Sequence, residues 1–425
     1  MTSILIRNGR VIDPANGVDG VMDIFIKNGK IEKADKNISS DSAKIIDAKG
    51  KWVTPGLIDI HVHLREPGYE YKETIETGAL SAAAGGFTSI ACMANTDPVN
   101  DCASITARII ELAEKAAVNV FVIGAITKGL KGAELADIGD MAGRGVVALS
   151  DDGKCVMDGD VMRSAMEYAS MFNLTVIEHA EDDKLIRGAG INEGAVSLKL
   201  GLQGRPKIAE DIIVARDISL AGYLKTTIHI AHVSTAGAVE LIRQGKIRGV
   251  NVTAEVTPHH LTLTDAACCG YNTNAKMAPP LREQSDVDAL KEGLKDGTID
   301  CIATDHAPHA SQEKEVEFDI AAFGVVGLET ALPLSLALVR DSVLSPLELI
   351  ETMTVKPASV INIKRGSLSM GAVADVTIID PDCEWTVDPK KFKSKGRNTP
   401  FGGAKVKGRA THTIVGGEIV YEAGE

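Results

Sequence analysis

Over the first 50 residues, hydrophobic and polar positions alternate in short runs broken by turn residues: Ile4 to Ile6, Asn8-Gly9, Val11-Ile12, then Ile24 to Ile26, Asn28-Gly29, Lys30-Ile31. Alternation with a period of two marks half-buried strands, and Asn-Gly readily takes the positive φ angles of a tight turn. The pattern therefore predicts hairpins at Asn8-Gly9 and at Asn28-Gly29. The same grammar returns at the far end, in Ala374 to Ile379 and in Thr413 to Val420 around Gly416-Gly417. The two termini are thus expected to build one small β domain together. Between them the pattern changes to short apolar runs, among them Ser89–Met93, Val118–Gly124, Leu174–Glu178, Thr227–Ala231, Val250–Val256 and Ile299–Ala303. Amphipathic stretches such as Ala103–Ala117 and Asp160–Asn173 lie between these runs. About eight strand-helix units over roughly 310 residues fit a closed barrel. An open doubly wound sheet fits less well, because no Gly-x-Gly-x-x-Gly follows the first strand. The expected fold is α/β: a (β/α)8 TIM-like barrel over residues 55–366, with a small β-sandwich domain made of residues 1–54 and 367–425.

Composition narrows the partners. Of 425 residues, 44% are hydrophobic and 24% charged, enough apolar surface for a large core. A net charge of −13 argues against nucleic acid or an anionic membrane surface and points to a small-molecule ligand. The longest apolar stretch, Ser81 to Ala94, is broken by Gly85-Gly86 and falls short of the roughly 20 residues a membrane span needs. The first residues carry no signal-peptide pattern, so a cytoplasmic location is expected. Seven scattered cysteines without a Cys-x-x-Cys pair suit buried thiols in a reducing compartment better than a disulfide framework or a metal site.

The sharpest chemical signal is His61-Val62-His63. On a strand the two imidazoles point to one face and can grip one metal ion. A lone His-x-His recurs by chance; its weight here comes from His179, His232 and Asp305, each of which ends another apolar run. Four imidazoles and a carboxylate would then converge at one mouth of the barrel. Arg65 would share that face if the strand stays extended, and arginine binds a planar carboxylate through two parallel hydrogen bonds. Other residues have blander readings. His229 reads as a supporting residue on the opposite strand face, and His259 and His260 as supports that do not ligate. His412 reads as solvent-facing, Cys268-Cys269 as a buried pair, and the charge run Glu313 to Glu317 as a solvated loop or helix start.

The motifs His61-Val62-His63-Leu64-Arg65-Glu66-Pro67-Gly68, Met93-Ala94-Asn95-Thr96-Asp97-Pro98, Asp151-Asp152-Gly153, Ala231-His232-Val233-Ser234, Asp305-His306-Ala307-Pro308-His309, Phe323-Gly324-Val325-Val326-Gly327 and Arg397-Asn398-Thr399-Pro400-Phe401 span nearly the whole chain. In order and spacing they resemble the metal-dependent amidohydrolase superfamily, and more narrowly its long-chain bacterial dihydroorotases. The resemblance implies two zinc ions, the first held by His61, His63 and Asp305 and the second by His179 and His232, with a bridging aspartate from the Asp-Asp-Gly segment. Spacing to His179 favours Asp152 over Asp151. Many relatives bridge with a carboxylated lysine, but Gly153 is expected to end the strand before Lys154. Implied substrate contacts are His63, Arg65, Asn95, His309, Phe323 and Gly324, together with Ala278, where relatives often carry Asn. Asp305 would act as general base and then general acid. The implied reaction is reversible hydrolysis of (S)-dihydroorotate to N-carbamoyl-L-aspartate in pyrimidine (UMP) synthesis, by a homodimer that could associate with an aspartate carbamoyltransferase. Two alternatives are a hydantoinase or allantoinase, which typically bridges with lysine, and a non-catalytic dihydroorotase-like partner of a carbamoyltransferase. Degenerate partners of that kind lose metal ligands, whereas all six candidates are present here.

Overall fold

The computed structural model describes residues 3–40 and 42–424. Eight of the apolar runs form parallel strands paired in chain order: β1 (Leu57–Val62), β2 (Phe87–Cys92), β3 (Asn119–Gly124), β4 (Ala148–Ser150), β5 (Thr175–Glu178), β6 (Ile228–Ile230), β7 (Val252–Val256) and β8 (Cys301–Ile302). The chain after β8 returns to β1: Val62 pairs with His306, and the His63 amide donates to the His306 carbonyl at 2.9 Å. The barrel thus closes. Every residue of β1 and β2 is buried, as expected for strands covered on both faces. Ile58, Ile60, Ala91, Ile123, Ile177 and Ala303 pack in the interior with Ala358 and Val360 of the helix Val355–Val360. Thr175, the first residue of β5, donates to Val360 O at 2.7 Å, so this helix stoppers the N-terminal end. The chemistry is left to the opposite mouth.

The outer helices follow their sequence pattern. Gly159–Ser170 is capped by the Asp158 side chain and buries Met162, Ala165, Met166 and Ala169, one stripe at helical spacing.

Strands from both ends of the chain form one sheet, in the order Glu418–Glu422, Lys405–Val415, Val376–Thr386, Trp52–Pro55, Ser3–Asp13, Val18–Lys27 and Lys30–Asp35, with Lys44–Asp47 also pairing on Ser3–Asp13. Its core joins Ile4, Ile6, Ile24 and Ile26 to Val376, Ile378 and Ile414. Asn28-Gly29 is the expected hairpin turn, with φ of 53° and 75°. Asn8-Gly9 is not. Ser3–Asp13 runs through it as one strand, and the register against Val18–Lys27 slips between Ile6 and Gly9, a β-bulge with Asn8 at φ 62°. Gly9 lies so close to Val53 that a Cβ there would sit 2.4 Å from its Cγ2, which accounts for the glycine without a chain reversal. Among the described residues no helix is long and apolar enough to cross a membrane.

Candidate active site

The two histidines of β1 reach the barrel mouth with help from a second irregularity. From Asp59 to Val62 the chain takes three steps while β2 takes two, from Ile90 to Cys92, so a bulge resets the alternation beneath His61 and His63. His179 follows β5, His232 follows β6, and Asp305 lies just beyond β8. His232 and Asp305 hold positive φ angles of 31° and 48°, conformations that non-glycine residues seldom adopt. Such strain persists where surrounding contacts over-determine the backbone, and it clusters at functional sites.

The structure brings all six expected ligand side chains together, all of them buried. Asp152 is the hub. Its oxygens lie 3.2 Å from His61 Nε2, 3.3 Å from His63 Nε2, 3.4 Å from His179 Nδ1 and 3.4 Å from His232 Nε2. Asp305 Oδ1 lies 3.0 Å from His63 Nε2 and 3.7 Å from His61 Nε2. Asp151 faces away, accepting from the Ile126 and Thr127 amides at 2.8 and 2.9 Å, and Lys154 is exposed. Burial opposes charge on Asp152, but the imidazoles around it outweigh burial and hold it well below the usual carboxylate range. Burial likewise opposes charge on His179, yet hydrogen bonds to Asp152 and Glu181 lift it to about 10.

This donor set fits metal. The ligand atoms of His61, His63 and Asp305 lie within 4.8 Å of one another, as do those of His61, Asp152 and His232. His61 Nε2, which faces the cluster, is buried without a hydrogen-bond partner, an expensive state that coordination would relieve. Imidazole nitrogens and carboxylate oxygens are the ligands borderline cations such as zinc prefer.

Beside these groups opens a cavity of about 540 Å³ whose walls include Arg65, Asn95, Ala278, His309, Phe323 and Gly324. All six side-chain or backbone positions expected to touch substrate beyond the metal ligands therefore face one space. Arg65 arrives differently from expectation: β1 ends at Val62, and Arg65 turns into the cavity from a left-handed conformation at φ 62°, its Nε donating to Pro308 O at 3.3 Å. Asn95 accepts from His63 Nδ1 at 2.9 Å, and its amide donates to Asp152 O at 3.3 Å. His309 Nε2 donates to Phe323 O at 2.7 Å. Burial, with Arg65 and Lys72 nearby, pushes His309 down to about 3, so it is neutral at working pH. Two cations lie over the Phe323 ring, Lys276 Nζ at 4.4 Å and the Arg205 guanidinium at 5.0 Å from its centre.

Several blander readings need correction. Cys268 is buried but Cys269 is exposed. His412 is largely covered, its side chain only 13% exposed beside Glu422. The run Glu313 to Glu317 is not wholly solvated: Lys314 is buried and donates to three backbone carbonyls. His229 supports as expected, through Glu255, and His259 and His260 are buried beside the site.

Sequence reasoning missed Glu255. Its carboxylate takes His61 Nδ1 at 2.5 Å and His229 Nε2 at 3.2 Å, and accepts the His232 amide at 3.2 Å. Glu255 thereby leaves His61 Nε2 to face inward. The available signal was a lone carboxylate in the otherwise mostly apolar strand β7. Asp59 was missed too; it ties β1 to the end of β8 by accepting from the His61 and Thr304 amides, both at 3.1 Å.

Comparison with known proteins places the chain in a family. A family described as dihydro-orotase-like matches residues 50–238, and one described as the amidohydrolase family matches residues 272–421. The chain is 53% identical over 426 residues to a protein named dihydroorotase from Anaeromyxobacter dehalogenans (strain 2CP-C), covering 99% of this chain and 98% of that one. It is 55% identical over 420 residues to a dihydroorotase from Pelotomaculum thermopropionicum, with the same coverage. Among solved structures, an L-hydantoinase (dihydropyrimidinase) from Arthrobacter aurescens superposes with a TM-score of 0.90 at 27% identity, covering 100% of this chain and 97% of that one. A dihydropyrimidinase from Brevibacillus agri NCHU1002, at 23% identity and a TM-score of 0.87 over 99% of this chain and 95% of that one, shares the fold.

Proposed function

This chain belongs to the dihydroorotase family of cyclic-amide hydrolases, and we propose that it interconverts (S)-dihydroorotate and N-carbamoyl-L-aspartate with two zinc ions. His61, His63 and Asp305 would hold one ion, His179 and His232 the other, and Asp152 would bridge them. One observation carries the reading: the ligand cluster and Arg65 open into the same cavity, so a cation able to clamp a carboxylate would lie beside the centre that would activate water for attack on a ring amide.

When bound, zinc supplies a water acidified towards neutrality and polarises the scissile carbonyl. Burial opposes charge on Asp305, but the hydrogen bond from His63 outweighs it and keeps the carboxylate ionised. Asp305 can therefore take the proton of the attacking water and return it to the departing ring nitrogen. Arg65 binds the substrate carboxylate through two parallel hydrogen bonds, with Asn95 and His309 flanking it. Phe323 and Gly324 cover the ring, and Ala278 adds a small apolar surface where related chains often carry Asn.

The hydantoinase-like alternative rests on the shared fold. Against it stand the lower identity to those structures and the contrast between an exposed Lys154 and an Asp152 buried among the imidazoles, which supports Asp152 as the bridge. The pathway step would be pyrimidine synthesis in the cytoplasm, by a homodimer able to associate with an aspartate carbamoyltransferase. Turnover of dihydroorotate by purified protein of measured zinc content tests the reading. Activity that depended on added bicarbonate would point instead to a carboxylated lysine and a hydantoinase-like site.

A further inference from the structure

The Arg397-Asn398-Thr399-Pro400-Phe401 motif lies far from the barrel strands in sequence, and nothing in the reaction above uses it. It nonetheless reaches the substrate cavity from behind. Phe401 packs with Val326 and Phe392, and Gly396 runs so close to Pro308 and Val326 that a Cβ there would come within 2.7 Å of both. Asn398, next along, is 4% exposed and uses its whole amide. Its Oδ1 accepts the His309 amide at 3.0 Å, while Nδ2 donates to Ala307 O at 2.9 Å and to Gly324 O at 3.1 Å. Its own carbonyl accepts the Val326 amide at 2.9 Å. One side chain thus joins the two chain segments that carry His309 and Phe323-Gly324.

A second clip works from the other side. Lys314 Nζ donates to Ala322 O at 2.7 Å, Gly324 O at 3.1 Å and Lys276 O at 3.3 Å, tying the Phe323 segment to the segment that leads into Ala278. Gly324 itself sits at φ 123°, where a Cβ would lie 2.6 Å from the Ala307 Cβ. The wall is therefore built from closely packed backbone whose carbonyls point at the side-chain donors of Asn398 and Lys314. A buried carbonyl that loses its donor is costly, so removing either clip lets the segment move rather than stay unpaired.

We propose that Asn398 is a positioning residue for substrate: with Lys314, it holds His309 and Phe323-Gly324 in the spacing that binds the ring, and touches neither metal nor reacting atoms. The proposal rests on the dihydroorotase reading for its substrate, but its physical core, a wall fixed by two clips, does not. Its test uses full-length zinc-loaded protein, with Asn398→Ala, Asn398→Asp and Lys314→Met. Asn398→Asp keeps the acceptor for the His309 amide but turns an oxygen towards two carbonyls, so it should be the worse of the two Asn398 variants. KM for dihydroorotate should rise at least about tenfold in each variant while kcat stays within about threefold and zinc content is unchanged. By hydrogen exchange, peptides covering residues 305–326 should exchange at least about tenfold faster, with β1, β5 and β6 unaffected. Parent-like exchange across 305–326, or KM unchanged in an active enzyme, would overturn the proposal. Loss of zinc or of protection throughout the barrel in all three variants would also overturn it, by making the clips general stability contacts. If the parent itself failed to turn over dihydroorotate, the functional reading would fall while the exchange result still decided the role of the clips.

Discussion

The floor and the wall of the cavity are built by different physics. The floor is six side chains at the ends of β1, β4, β5, β6 and β8, held against one another by buried carboxylates and imidazoles. The wall is loop backbone, held by two side-chain donors, Asn398 from far along the chain and Lys314 from within the same loop. On the proposed function, the strand ends would carry the chemistry, where small displacements are costly. The loops would carry the selection of substrate, where shape can change without touching the reaction. A fault in the floor should therefore remove metal and rate together, and a fault in the wall should leave both and change what binds.

The largest expected break is at the floor. His61→Ala should lose metal from its position and lower turnover by about 10⁴-fold, since a bound ion supplies several kcal/mol of transition-state stabilisation. Full zinc occupancy with full activity would remove His61 from the ligand set. Asp305→Asn keeps an oxygen that can ligate but loses the proton acceptor, so zinc should stay near the parent level while turnover falls about 10²–10⁴-fold. More than a tenth of the parent rate would contradict the general-base assignment.

Why the floor was legible from residue pattern, the wall's substrate positions only through resemblance, and the wall's clips not at all follows from the same contrast. His61, His63, His179, His232 and Asp305 each terminate an apolar run, so periodicity and residue chemistry point to them without coordinates. Arg65 was placed in the right cavity for an incomplete reason, because the strand ends at Val62 and a left-handed turn does the aiming. The bulges at Asn8-Gly9 and beneath His61 leave no mark distinct from a hairpin or a straight strand. Lys314 was hidden inside a run of charges that reads as solvated, and Asn398 pairs with backbone groups, which carry no sequence signature.

A smaller break lies one layer beneath the ligands. Glu255→Gln keeps the shape but weakens the contact that orients His61, and should lower zinc affinity or activity about 10–100-fold. Zinc titration against a competing chelator checks it, and parent affinity with parent rate would confine Glu255 to packing.

The smallest effect concerns pH. Because burial holds His309 neutral well below its ordinary range, protonation of that ring contributes nothing between pH 5 and 8. The acid limb of kcat/KM should then stay where it is in His309→Gln even though KM rises. A limb displaced by that substitution would make His309 a titrating group in the working range.

The most direct test of the division between floor and wall is kcat/KM of parent and Arg65→Met, at equal zinc content, for dihydroorotate and for dihydrouracil, a ring without the carboxylate. A charge-assisted bidentate contact is worth roughly 1.5–3 kcal/mol, so the variant should lose about tenfold to a hundredfold on dihydroorotate. On dihydrouracil, already a poor substrate for the parent, it should lose little more. Equal proportional losses on the two rings would contradict the account, because Arg65 would then be supporting the site as a whole and not selecting an acidic substrate.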